Sequence, residues 1–258
     1  MIHSTAIIDS KAQIDNSATI GAHVMIGPNV RIHKDVIIDH HAMVDNHTVV
    51  EEGVHVFPYA AVGGIPQDLK YKKTQGCFCK VGARTVIREF VTINAGADDD
   101  HITEVGEDCL LMAYSHLGHN AVVGNRVIMA NSATLAGHVH IGDGAVIGGL
   151  VGIHQFVKVG KMVIVGGCSK VVKDLPPFML ADGNPAVIRA INKVGLHRKG
   201  FSEEQINKIK TAFRYLYRSD LMVSTALEKI KELGSDPEIM EIINFINNSD
   251  RGIAKGAK

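Results

Sequence analysis

Residues 115 to 120 read Ser-His-Leu-Gly-His-Asn, which sets two imidazoles three positions apart. An imidazole can take a proton from a hydroxyl at neutral pH, and a second one nearby can hold a substrate oxygen. Histidines can equally bind zinc, and His101, His116, His119, His138 and His140 supply enough nitrogens for three ligands. No spacing among them is diagnostic of a metal, and none is expected. The Asp98-Asp99-Asp100 cluster sits in an irregular loop, and the four cysteines (Cys77, Cys79, Cys109, Cys168) lack zinc-type CxxC spacing. Base, ligand or ordinary polar residue is a question of backbone.

That backbone keeps time in sixes. Stepping from Ile8 gives Ile14, Ile20, Ile26, Ile32, Ile38, Val44, Val50, Val56 and Val62. The count slips over 63 to 80, resumes at Val81, Ile87 and Ile93, breaks at the acidic cluster, and runs again from Val105 to Val171. Two residues before each aliphatic position stands a small or β-branched one. A period of six is neither helical nor simple alternation. It fits a chain that turns a corner every six residues, three hexads closing a triangular coil of parallel strands. About eight such coils at ~4.8 Å give a rod of roughly 40 Å. The aliphatic rows fill the bore, so any substrate binds outside, and the slips near 63–80 and 97–104 are extruded loops. Asp, Asn and Gly after the aliphatic residue read as turn residues.

Past Val171 the pattern changes, and residues 1–184 and 185–258 read as a β-helix and an α-helical cap. Ser202 to Gln205 is a capping box opening an amphipathic helix, a second helix ends before Gly234, and Asp236-Pro237 opens a third. The cap carries 13 Lys/Arg and 9 Asp/Glu against 14 and 18 in the rest, a mild hint of an acidic partner. Overall charge balances at 27 and 27, which gives no argument for nucleic acid. No basic leader precedes an apolar run, and no apolar stretch is long enough to span a bilayer, so reduced thiols in the cytoplasm are expected.

On this rod Leu117 points inward, and His119, two places on, projects from a corner. Gly137 lies 18 residues on, one coil up the same corner. An outward imidazole beside an open backbone N–H suits a base with an oxyanion donor, with a metal ligand and a purely structural histidine as the alternatives.

Several blocks then carry a family resemblance: PQDLKY at 66–71, GNRVIMANSATLAGHV at 124–139, HQF at 154–156, GGCS at 166–169, DLPPF at 174–178 and RKGF at 198–201. The whole chain resembles the UDP-N-acetylglucosamine O-acyltransferases of lipid A biosynthesis. The resemblance implies a left-handed helix, a homotrimer with sites between rods, no cofactor, and transfer of a 3-hydroxyacyl chain from acyl carrier protein to the sugar 3-position. It implies His119 as general base, Gly137 as oxyanion donor and Asn120 as the partner of the base. It implies substrate contacts from Asp68, Lys70, His116, His138, Gln155, Asn192 and Arg198, and Gly167 as the ruler of acyl length. Three residues depart from the familiar pattern: Asn120 for an aspartate, and Asn94 and Pro185 for histidines. The first bears on base strength, and the latter two leave open a 3-amino sugar nucleotide giving an amide. Further alternatives are a coenzyme A-dependent acyltransferase of the same fold, a carbonic anhydrase-type zinc enzyme and a non-catalytic scaffold.

Overall fold

A computed structural model describes residues 1–72, 77–97 and 102–257. Most strands of the rod are two residues long, and the second residue of each is the aliphatic one of the six-residue count, as in Thr19–Ile20, Met25–Ile26 and Arg31–Ile32. Successive strands lie on different faces, so each pairs in parallel with the strand 18 residues on: Ile7 opposite Met25, Gln13 opposite Arg31, Thr19 opposite Ile37. Among the described residues three ladders result, of nine, eight and ten strands, parallel throughout except for the last strand of the ten.

The inward rows form one continuous apolar core, in which Ile38, Ile87, Leu111, Leu117, Met129, Leu135 and Ile147 are fully buried. Ile147→Ala should cost roughly 2–5 kcal/mol, because stacked coils cannot collapse onto the hole. The check is the urea midpoint at fixed protein concentration; an unchanged midpoint would refute the packed bore.

The two slips appear as register jumps. Val62 pairs with Ile93 and Val50 with Val81, steps of 31 in place of 18. Val81 pairs with Val105 and Ile93 with Leu117, steps of 24. The interruptions are narrower than their sequence limits, because Ala61–Gly64, Phe78–Val81 and Thr103–Val105 are strand. Residues 98–101, which include His101 and the acidic cluster, lie outside the described residues.

The corners correct one expectation. The left-handed backbone falls three places after the inward residue, at His23, Asn29, Asp35, Tyr59, Phe90, Tyr114, Asn120, His138 and Phe156 among others. The glycine directly after the inward residue has a different cause. A Cβ on Gly21 would stand 2.7 Å from His40 N of the next coil, so close approach, not φ, excludes a side chain.

The upper end is closed by residues after Val171. Met179–Gly183 continues the ten-stranded ladder, and Ala186–Ile191 adds antiparallel to it. A strand therefore occupies residues where the sequence suggested the helical cap begins. Four helices follow: α1 (Lys193–Arg198), α2 (Glu203–Tyr217), α3 (Val223–Lys231) and α4 (Pro237–Asn247). α2 starts with both bonds of the Ser202–Gln205 capping box, and Asp236 with Pro237 opens α4. Buried Asp174 ties the end of the chain to the rod. Its carboxylate accepts from Lys158 N (2.8 Å) and Ser249 Oγ (2.6 Å), and its carbonyl accepts from Ala254 N (2.8 Å).

Candidate active site

His116–Leu117 is a strand of the nine-stranded face and Val122–Val123 one of the eight-stranded face, so His119 and Asn120 turn the corner between them. Asn120 adopts φ 61° and is buried, while His119 is half-buried. His119 Nδ1 lies 2.5 Å from Asn120 Oδ1. The same oxygen accepts from the backbone N–H of Ala97 at 3.2 Å, and a backbone N–H can only donate. This fixes the amide with its oxygen toward the histidine. An amide oxygen only accepts, so the imidazole proton sits on Nδ1 and the Nε2 lone pair faces outward.

Gly137 provides the floor beneath that ring. A Cβ there would stand 2.7 Å from His119 Nε2 and 2.8 Å from Cε1. Gly118 plays the matching part below, since a Cβ on it would stand 2.7 Å from Gly137 N. Among the described residues Gly137 N–H donates to no protein acceptor. Two glycines on adjacent coils thus set a free lone pair beside a free N–H.

A groove of about 470 Å³ opens over this pair on the nine-stranded face. His116 stands on its wall, 2.7 Å from Thr92 Oγ1 and in register with Thr134. Burial pushes the His116 imidazole below its ordinary pKa, so it is neutral at pH 7. Gln155, one coil above Gly137, closes the upper side. Gln67, Asp68 and Lys70 lean in from the first extruded loop. Asp68 shapes that loop itself, its Oδ1 accepting from Lys70 N (2.9 Å) and its carbonyl from Tyr71 N (3.0 Å).

Residues 102–137 match the bacterial transferase hexapeptide family, and 174–254 match domain 2 of UDP-N-acetylglucosamine O-acyltransferase. An acyl-[acyl-carrier-protein]–UDP-N-acetylglucosamine O-acyltransferase of Synechocystis is 42% identical over 197 residues, covering 76% of this chain and 71% of that one. One of Burkholderia lata is 42% identical over 203 residues, covering 76% and 77%. The chain belongs to this acyltransferase family. The Francisella novicida UDP-N-acetylglucosamine acyltransferase structure superposes with a TM-score of 0.98 at 35% identity, covering 100% of this chain and 95% of that one. The Acinetobacter baumannii enzyme superposes at 0.94 and 38%, covering 98% and 99%. The fold is the family's left-handed parallel β-helix with a small helical C-terminal region, and the chain is an acyltransferase.

Not every residue read from the sequence lies in the groove. His119, Gly137, His116, Gln155, Asp68 and Lys70 line it together. His138 does not. At φ 59° it turns onto the corner ridge, stacks on Phe156 (4.7 Å, 19°) and stands edge-on to His119 (5.1 Å). It borders a separate cavity of about 220 Å³ with Lys158 and Asp250. Asn192 is buried and already occupied: Oδ1 accepts from Gly195 N (3.0 Å) as the cap of α1, and Nδ2 donates to Met162 O (2.8 Å). Arg198 is exposed in the last turn of α1. Gly167 is exposed above Gly149, at the corner between the ten- and nine-stranded faces. None of these three lines the groove of its own chain.

Three polar side chains of the lining were not singled out as contacts from sequence. Thr134 was legible, since stepping 18 from His116 puts it on the same outward row. Gln67 adjoins Asp68 in the same motif, with no signal of its own. Asn94 was noted only as a departure; it is buried, and its Nδ2 donates to Ile65 O (3.0 Å), pinning the root of the loop to the rod. Pro185 sits in the hairpin turn between Met179–Gly183 and Ala186–Ile191. Among the described residues no three His, Cys, Asp or Glu gather as metal ligands, and all four cysteines are free.

Proposed function

We propose that His119 is the general base in transfer of a 3-hydroxyacyl chain from acyl carrier protein to the 3-hydroxyl of UDP-N-acetylglucosamine. The observation carrying this reading is the tautomer: Asn120 holds the Nδ1 proton, so Nε2 faces the groove as an acceptor. The sugar hydroxyl attacks the thioester carbonyl and passes its proton to Nε2. The tetrahedral oxyanion is stabilised by Gly137 N–H. Collapse breaks the C–S bond, and the leaving thiolate takes the proton back from the imidazolium. A positioned base contributes ~10²–10⁴-fold and one oxyanion donor ~10²–10³-fold. Asp68 and Lys70 meet the sugar nucleotide from above, the ammonium suiting a phosphate. His116 and Gln155 hold polar groups along the wall.

The site is completed by a second copy in a homotrimer. The outward row of the ten-stranded face reads Thr19, Ile37, His55, Val86, Leu110, Ile128, Val146 and Ile164, and Ile37 is 40% exposed. An apolar row of this length on a rod needs covering. The eight-stranded face carries Arg31, Lys80, Glu104, His140 and Lys158 on its outward row and suits solvent. Packing the ten-stranded face of one copy on the nine-stranded face of the next brings Gly167 and α1, with Arg198, to the neighbour's groove. Gly167→Met should then shift the preferred acyl chain to shorter lengths, measured with a series of acyl-carrier thioesters; an unchanged profile would put the ruler elsewhere. The free cysteines fit a cytoplasmic enzyme. Among the described residues no helix is long and apolar enough to cross a membrane.

The direct test is a transfer assay offering carrier-protein and coenzyme A thioesters with UDP-N-acetylglucosamine and its 3-amino analogue. Ester formation from the carrier thioester is expected. Transfer from coenzyme A alone would overturn the donor, and amide formation alone would overturn the acceptor.

A further inference from the structure

We propose a phosphate-binding site on the eight-stranded face, near the first coils and remote from His119. A basin of about 270 Å³ lies there, lined by Lys11, Gln13, Asn29, Arg31, His47 and Phe78 among others, with no carboxylate in its wall. The 18-residue step stacks Lys11, Asn29 and His47 in one column, and strand pairing stacks Gln13 below Arg31 in the next. Phe78 continues the first column above His47, their rings 5.1 Å apart, and Asn29 Nδ2 lies 3.5 Å from His47 Nε2.

The cations of this basin differ from others on the same face. Lys80 reaches Glu104 at 3.6 Å and Lys158 reaches Asp250 at 3.0 Å. Lys11 and Arg31 reach no carboxylate among the described residues. Three neighbouring acidic side chains serve the backbone: Asp9 accepts from Lys11 N, Asp15 from Ser17 N and Asp45 from Asn46 N. A guanidinium fork, an ammonium, an imidazole and two amides thus face one small volume that no carboxylate lines among the described residues. A carboxylate has two oxygens, and a bidentate arginine engages both. A phosphate has oxygens enough for arginine, lysine and the imidazole together. The phosphate could belong to a free nucleotide or to a lipid headgroup.

The test uses the full-length protein and sodium pyrophosphate in isothermal titration, with wild type, the Lys11→Ala/Arg31→Ala double variant, and Lys70→Ala to silence the catalytic groove. Wild type should bind with a Kd on the order of 1 mM. The double variant should bind at least ~10-fold more weakly, since two charge-assisted contacts are lost. Lys70→Ala should keep the wild-type affinity at this site. The double variant should keep full transferase activity and its melting temperature, as both side chains are exposed. Displacement of pyrophosphate by UDP would assign a free nucleotide. Sedimentation with phosphatidylglycerol vesicles but not phosphatidylcholine vesicles, lost in the double variant, would assign a headgroup. Equal pyrophosphate affinity in wild type and the double variant, or no saturation, would overturn the proposal.

Discussion

His119→Ala should lower turnover by ~10²–10⁴-fold while the protein stays folded, a loss of about 3–5 kcal/mol of transition-state stabilisation. The fold should tolerate the change because the ring stands outside the bore. It is half-buried, bonds to Asn120 and touches the edge of His138, but supports none of the inward rows. Loss of activity alone would not separate a base from a structural prop. Chemical rescue does. Truncation leaves an imidazole-sized gap over Gly137, where a Cβ would have met three atoms of the ring. Added imidazole should therefore restore part of the turnover in a saturable way, and the melting temperature should stay near that of the wild type. Turnover close to normal without imidazole would refute the base.

Gly137→Ala should be nearly as damaging without removing a catalytic atom. The new Cβ would lie 2.7 Å from Nε2, a separation side chains do not tolerate. Gly137 is not among the residues with left-handed backbone, so alanine fits the local chain and only the imidazole must move. A ring displaced by about 1 Å loses its aim, at a cost on the order of 10²-fold in kcat. Stability should change by no more than about 1 kcal/mol. The double variant separates this mechanism from others. In a His119→Ala background there is no ring to displace, so Gly137→Ala should cost little more. Equal losses in both backgrounds would mean that the methyl group acts elsewhere, on the oxyanion N–H or on the sugar.

The rod was legible in the sequence because its interior is a strict row: every two-residue strand ends on the residue the six-count marks, and the six-count residues from Ile20 to Val171 are almost wholly buried. The corners were not. Tyr59, Phe90, Tyr114, Leu150 and Phe156 hold left-handed backbone where turn chemistry favours glycine or asparagine. At one corner the rings compensate by stacking, Tyr59 on Phe90 at 5.1 Å and Phe90 on Tyr114 at 4.9 Å, a gain that only the assembled coils provide. The floor of the site was readable for the same reason as the core. An 18-residue step joins His119 to Gly137, Gly137 to Gln155 and His116 to Thr134. The step says which residues are neighbours but not which way a corner side chain leans. His138 therefore lies over the ridge beside Phe156, outside the groove. The bonds of Asn192 were hidden for another reason: its amide caps a six-residue helix that no periodicity announces. Ala186–Ile191 likewise became strand because the last rung of the ladder needed a partner for its backbone.

The most direct measurement is a structure of the protein with UDP-N-acetylglucosamine bound. The sugar 3-oxygen should lie about 2.6–3.2 Å from His119 Nε2, with Nδ1 still bonded to Asn120. A second copy's ten-stranded face should close the far wall of the groove. A bound sugar whose 3-oxygen is beyond ~5 Å from Nε2 with no bridging water, or an imidazole ligated to a metal ion, would contradict the account.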